Sequence, residues 1–101
     1  MPSRIIVLFN LKPGVSPHAY ESWAQTRDMP SVRGLRSIDG FDVYRTTGLL
    51  TGGDAPYAYV EVIDVNDMAL FGTEAAADPM PAIAAEFAKW ADAIFIMTEP
   101  L

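Results

Sequence analysis

The chain has no cysteine and a single histidine among its 101 residues. The first absence removes disulfides, thiolate nucleophiles and thiolate-bound zinc. The second removes any metal site built from several histidines of one chain. A basic run is missing too: thirteen acidic residues against seven basic ones leave a formal charge of −6. Such a chain offers no electrostatic footprint for nucleic acid or for an anionic membrane. No stretch approaches the roughly 20 apolar residues that cross a bilayer. The apolar run after Arg4, IIVLFNL, breaks at Asn10 and closes on Lys12-Pro13-Gly14 without a small-residue cleavage site, so it reads as a strand and not as a leader. The expectation is a cytoplasmic protein with no nucleic-acid or membrane partner and no metal.

What is present is apolar. Half of the residues are hydrophobic, too many for a solvating or disordered chain, and the length suits one domain over residues 1–101. The pattern predicts a strand over Arg4 to Leu11, ended by Pro13-Gly14. Ser16 is placed to cap a helix that opens on Pro17, runs to about Met29 and resumes briefly near Val32. A second strand follows over Arg36 to Thr47, with Gly40 as a candidate bulge, and then a loop, TTGLLTGGDAP. Tyr57 to Val65 is the clearest strand. Asn66 or Asp67 caps a short helical segment to Ala77, and Asp78-Pro79 opens another to about Ala91 with Met80, Ile83, Phe87 and Trp90 on its apolar side. Ala93 to Thr98 is the last strand. The order β-α-β-β-α-β is that of a ferredoxin-like α+β fold, a four-stranded antiparallel sheet with its helices on one face.

The strands are apolar on both faces. Ile5, Val7, Phe9 and Leu11 point one way and Ile6 and Leu8 the other. Ile94 and Ile96 oppose Phe95 and Met97 in the same manner. One layer of helices covers one face, and leaving the second in water would forfeit several kcal/mol at roughly 25 cal/mol per Å². A second copy is the expected cover, which gives a homodimer of the dimeric α+β barrel type.

The candidate chemistry begins in the first helix. Tyr20, Trp23, Ala24 and Arg27 fall at i, i+3, i+4 and i+7, an aromatic stripe that ends in a guanidinium, with Asp28 beside it and Pro30 closing the helix. Two readings fit: the polar corner of an apolar pocket, or an amphipathic helix with a snorkelling arginine. The strands add Arg45 and Glu61. In a hairpin of even register these share a face with Tyr59 as direct or diagonal neighbours, either as a cross-strand ion pair or as a carboxylate held for proton transfer. His18, in the first helical turn, reads as a surface residue. Gly52-Gly53-Asp54 lacks the lysine and the following helix of a phosphate loop, and Asp64 and Asp67 suit capping better than calcium.

Several segments together carry a family resemblance: KPGV near the start, TRDMP, FDVYRTTGLL from Phe41 to Leu50, GGDAPY, YVEVIDV with DM close behind, AAEF and the terminal TEPL. In this order, over essentially the whole chain, they resemble the REDY-like, HapK-type family. The resemblance implies a dimeric α+β barrel and a place in small-molecule biosynthesis of the kind that makes red tripyrrole pigments (prodiginines) or bisindoles. It supplies no residue roles.

Two functions of different class remain open. The first is a cofactor-independent enzyme acting on an aromatic or N-heteroaromatic intermediate. Tyr20, Trp23, Tyr44, Tyr59 and Trp90 would line its pocket, and Arg27, Asp28, Arg45 and Glu61 would polarise and move protons. The second is a non-catalytic dimer that binds a hydrophobic metabolite or a partner enzyme. One histidine is thin support for haem.

Overall fold

The computed structural model describes residues 2–101. Four strands, β1 (Ser3–Leu11), β2 (Ile38–Arg45), β3 (Tyr59–Val65) and β4 (Ala91–Thr98), form one sheet in the order β2-β3-β1-β4. Every neighbouring pair is antiparallel. Helical segments α1 (Pro17–Trp23) and α2 (Met29–Arg33) lie between β1 and β2, and α3 (Met68–Ala75) and α4 (Met80–Trp90) between β3 and β4. This is the ferredoxin-like α+β arrangement that the pattern predicts. Among the described residues no helix is long and apolar enough to cross a membrane.

Local chemistry explains the element starts. Ser16 accepts a hydrogen bond from the Ala19 N–H with Pro17 in the first helical position, and Asp67 does the same for the Leu70 N–H at the head of α3. Glu74 of α3 accepts from the backbone N–H groups of Arg36 and Ser37 at 3.0 and 2.9 Å, which fixes that helix to the entrance of β2. In β2 the ladder slips between Ile38 and Gly40, so Asp39 is the extra residue of a bulge. Gly40 is the residue that faces Asp64 there: a Cβ on it would come within 3.2 Å of the Asp64 carboxylate.

The first helix departs from expectation. It does not stop at Pro30 but continues to Arg33, because α1 passes into a π turn over Ala24–Asp28 before α2 begins. The Met29 N–H reaches back five residues to the Ala24 carbonyl. Proline brings no N–H and its ring collides with the carbonyl four residues earlier in a regular helix. A turn widened by one residue before Pro30 relieves that collision and keeps the helix going.

The core lies between the sheet and the helices. Ile5, Val7, Phe9, Tyr59, Ile63 and Val65 come from the sheet, and Tyr20, Ala24, Val32, Met80 and Ile83 from the helices. The opposite face presents Ile6 between Val62 and Ile96, and Leu8 between Val60 and Ile94. Ile94 and Ile96 are exposed and the other four half-buried. Arg4 and Asp64 pair at its rim at 2.7 Å.

Candidate active site

Glu61 sits at the centre of β3, between Val7 of β1 and Val43 of β2. The alternation of the strand turns it to the helix side with Tyr59 and Ile63, and it is only 4 % exposed. The π turn delivers the second carboxyl. The buried residues of the first helix are Tyr20, Ala24, Asp28 and Val32, each four apart, whereas a regular helix would have put Arg27 on that face. The extra residue of the π turn rotates Asp28 inward, to 5 % exposure, and Arg27 outward.

Both carboxyls border a cavity of about 460 Å³ between the sheet and the helices. Apart from Asp92 its wall is otherwise apolar, with Phe41, Phe71, Phe87 and Phe95 around Ile63 and Ile83. Burial, and next the charge of Asp28, push Glu61 up to about 8. Burial, and next the charge of Glu86, push Asp28 up to about 6. The two therefore titrate as a pair in which Asp28 loses its proton first and its charge then holds the proton on Glu61. Glu61 Oε2 is buried and has no hydrogen-bond partner, and the Tyr20 hydroxyl, whose pKa burial and the charge of Glu61 raise, has none either. Two adjacent acids with unlike pKa values in an apolar cleft are equipped to take a proton at one point and give one at another near neutral pH.

The other residues singled out in the sequence stand around this cleft. Arg27 does not enter it. Its guanidinium binds Glu86 of α4 with contacts of 2.7 Å, and the Trp23 indole N–H donates to the same carboxylate at 2.8 Å. Glu86 is held down to about 2 by these donors, Arg27 first. Arg45 shares the helix-side face with Glu61 as expected, directly opposite Tyr59 and diagonal to Glu61. Its partner, however, is Glu21 of α1, which also accepts from the Tyr59 hydroxyl at 2.7 Å and is brought down to about 2. The cross-strand Arg45–Glu61 ion pair does not form.

Tyr20, Tyr59, Trp23 and Trp90 join Phe9 and Phe87 in one aromatic cluster beneath α1 and α4. None of the four lines the 460 Å³ cavity; Tyr20 and Tyr59 border a separate space of about 150 Å³. Tyr44 lies on the opposite face of the sheet, opposite Val60 and 54 % exposed. His18 is at the surface as expected. The ring-bearing wall that sequence reasoning missed is phenylalanine: Phe41, Phe71, Phe87 and Phe95. Strand parity already put Phe95 on the face of Glu61's neighbours, and α4 already carried Phe87 on its apolar side. Among the described residues no group of three or more His, Cys, Asp or Glu side chains could hold a metal ion.

Comparison with solved structures places the fold in a populated neighbourhood. HapK from Hahella chejuensis superposes with a TM-score of 0.81 at 29 % identity, covering 98 % of this chain and 92 % of that one. SnoaB from Streptomyces nogalater, described as a cofactor-independent oxygenase, gives a TM-score of 0.79 at 13 % identity over 99 % and 93 % of the two chains. A dimeric ferredoxin-like protein of unknown function from Thermobifida fusca gives 0.75 at 20 % identity over 99 % and 92 %. At identities this low the last two show the fold alone. No curated protein matches the sequence. The family described as REDY-like protein HapK matches residues 3–101, nearly the whole chain, and together with the HapK superposition this makes the protein a member of the REDY-like HapK family.

Proposed function

We propose that this protein is a cofactor-independent enzyme of small-molecule biosynthesis that moves protons on an aromatic or N-heteroaromatic intermediate of pyrrole or indole type. The observation that carries the reading is the pair Asp28 and Glu61, two buried carboxyls of unlike pKa at the wall of an apolar cavity. Family membership supports a biosynthetic role. The name of SnoaB, a cofactor-independent oxygenase, shows that a related fold carries chemistry of this economy in another protein.

In this reading Asp28, ionised at neutral pH, is the general base and accepts a proton from the bound intermediate. Glu61, still protonated there, is the general acid and delivers one to the atom that gains electron density. The phenylalanine wall excludes water and holds the ring plane. Arg27 and Arg45 act at one remove: each fixes a helix by gripping a carboxylate, Glu86 or Glu21. Tyr20, Trp23, Tyr59 and Trp90 support the floor on which Asp28 and Glu61 stand.

The protein works as a homodimer in this proposal, the exposed isoleucines and half-buried valines of the open sheet face meeting their copies face to face. The Thermobifida relative, described as dimeric, supports that arrangement at the level of fold. Single-turnover assays on a pyrrole or indole intermediate test the chemistry. Glu61→Gln should fold and lose on the order of 100-fold or more in rate. Saturable binding with no turnover by the wild-type protein would instead identify a non-catalytic binder of a hydrophobic metabolite.

A further inference from the structure

The cleft has a charge character of its own. The charged side chains that line it among the described residues are Asp28 and Glu61, with Asp92 at its edge, and all three are acidic. The cations nearby are each held by an acceptor. Arg27 binds Glu86. Arg33 donates to the Phe41 carbonyl at 2.9 Å and to Asp42. Lys12 donates to the Ala88 carbonyl at 2.7 Å and lies 3.7 Å from Asp92. None of the three lines the cavity.

The hydrogen-bond inventory is equally one-sided. Even with one proton between them, the two carboxyl groups present four oxygens and a single donor. Glu61 Oε2 is buried without a partner, and leaving such an atom unpaired is costly. A ligand that brings an N–H or O–H group repairs this deficit. A ligand that brings a carboxylate or phosphate adds a like charge in a desolvated place, where repulsion is strongest.

From these two observations we infer that the cleft selects its ligand by charge: it takes an uncharged or cationic aromatic molecule that donates a hydrogen bond to the Asp28–Glu61 pair, and it rejects anions. This rests on the reading of the same cleft as the binding site and adds the electrostatic class of its substrate. The biosynthetic step that supplies this protein must then deliver an intermediate free of carboxylate, or one from which the carboxylate has been removed.

Four small probes test the inference with the intact protein at pH 7: indole, N-methylindole, tryptamine and indole-3-propionate, followed by chemical-shift titration of Phe41, Phe87 and Ile63. Indole and tryptamine should shift these residues. Indole-3-propionate should bind at least ~10-fold more weakly than tryptamine, whose chain has the same number of methylenes, and N-methylindole about fivefold or more below indole. Asp28→Asn should narrow the gap between the amine and the acid. Indole-3-propionate binding as tightly as tryptamine would overturn the charge selection, and N-methylindole binding as tightly as indole would overturn the donor requirement. In both cases the cleft would stand as the binding site. Failure of all four probes to shift these residues would overturn the cleft reading itself, and the inference with it.

Discussion

Val43, and not Arg45, stands directly opposite Glu61 across the β2–β3 ladder. A valine on one side and Val7 on the other leave the carboxyl with no cation directly beside it, the diagonal Arg45 being bound to Glu21, and this decides how it affects stability. An acid whose folded pKa is raised above its ordinary value binds more protons in the native state than in the unfolded one. Its favourable contribution is complete below the ordinary value of 4.5 and is lost as pH climbs through about 8. Asp28 behaves alike between 3.8 and about 6. Urea denaturation should therefore show stability falling from pH 5 to pH 9, by about 5 kcal/mol at the upper limit. Glu61→Gln, neutral at every pH, should remove most of that slope and exceed the wild type at pH 9. An equally steep slope in the variant would place the titration elsewhere.

The opposite limb belongs to Glu21 and Glu86. Each is held near 2, chiefly by hydrogen bonds from Arg45 and Arg27 respectively, so their contribution is present above 4.5 and lost as pH falls toward 2. The two limbs put the stability maximum near pH 4.5 to 5. A maximum above pH 7 would contradict both assignments.

Glu86 also reaches the site, since its charge helps to raise Asp28. Glu86→Gln should leave the fold intact, because a solvent-screened ion pair contributes little to stability. It should also move the acidic limb of the activity profile to lower pH as Asp28 ionises more readily. An unmoved limb would separate Asp28 from the rate.

Asp28→Asn tests the coupling within the pair. Removing the Asp28 charge removes the second cause that lifts Glu61, and the Glu61 carboxyl should titrate below its present value of about 8 while remaining above 4.5 because burial persists. Carbon-13 titration of the Glu61 carboxyl reads this directly. No change on Asp28→Asn would mean that burial alone sets the value.

The open sheet face supplies a fifth expectation. Sedimentation equilibrium should find a dimer, and Ile96→Asp, a change on the exposed face beside Ile6, should give a monomer of lower thermal stability. A wild-type monomer of about 11 kDa that melts cooperatively would dismiss the paired sheets.

The order of elements, the two apolar sheet faces, the caps at Ser16 and Asp67 and the inward side of β3 follow from the sequence alone. Each depends on periods of two or 3.6 residues, or on side chains three residues from the N–H they satisfy, and so on geometry a single segment contains. The site was legible only in part for the same reason. Glu61 is marked by its position in an otherwise apolar strand. Asp28 instead of Arg27 on the buried face required the π turn before Pro30, a change of phase that a regular helical count does not include. The partners of Arg45 and Arg27 are 24 and 59 positions away, and the phenylalanines of the cleft come from β2, α3, α4 and β4. Such meetings are set by how helices lie on a sheet. Long charged side chains within reach of several partners take whichever carboxylate the packing brings closest.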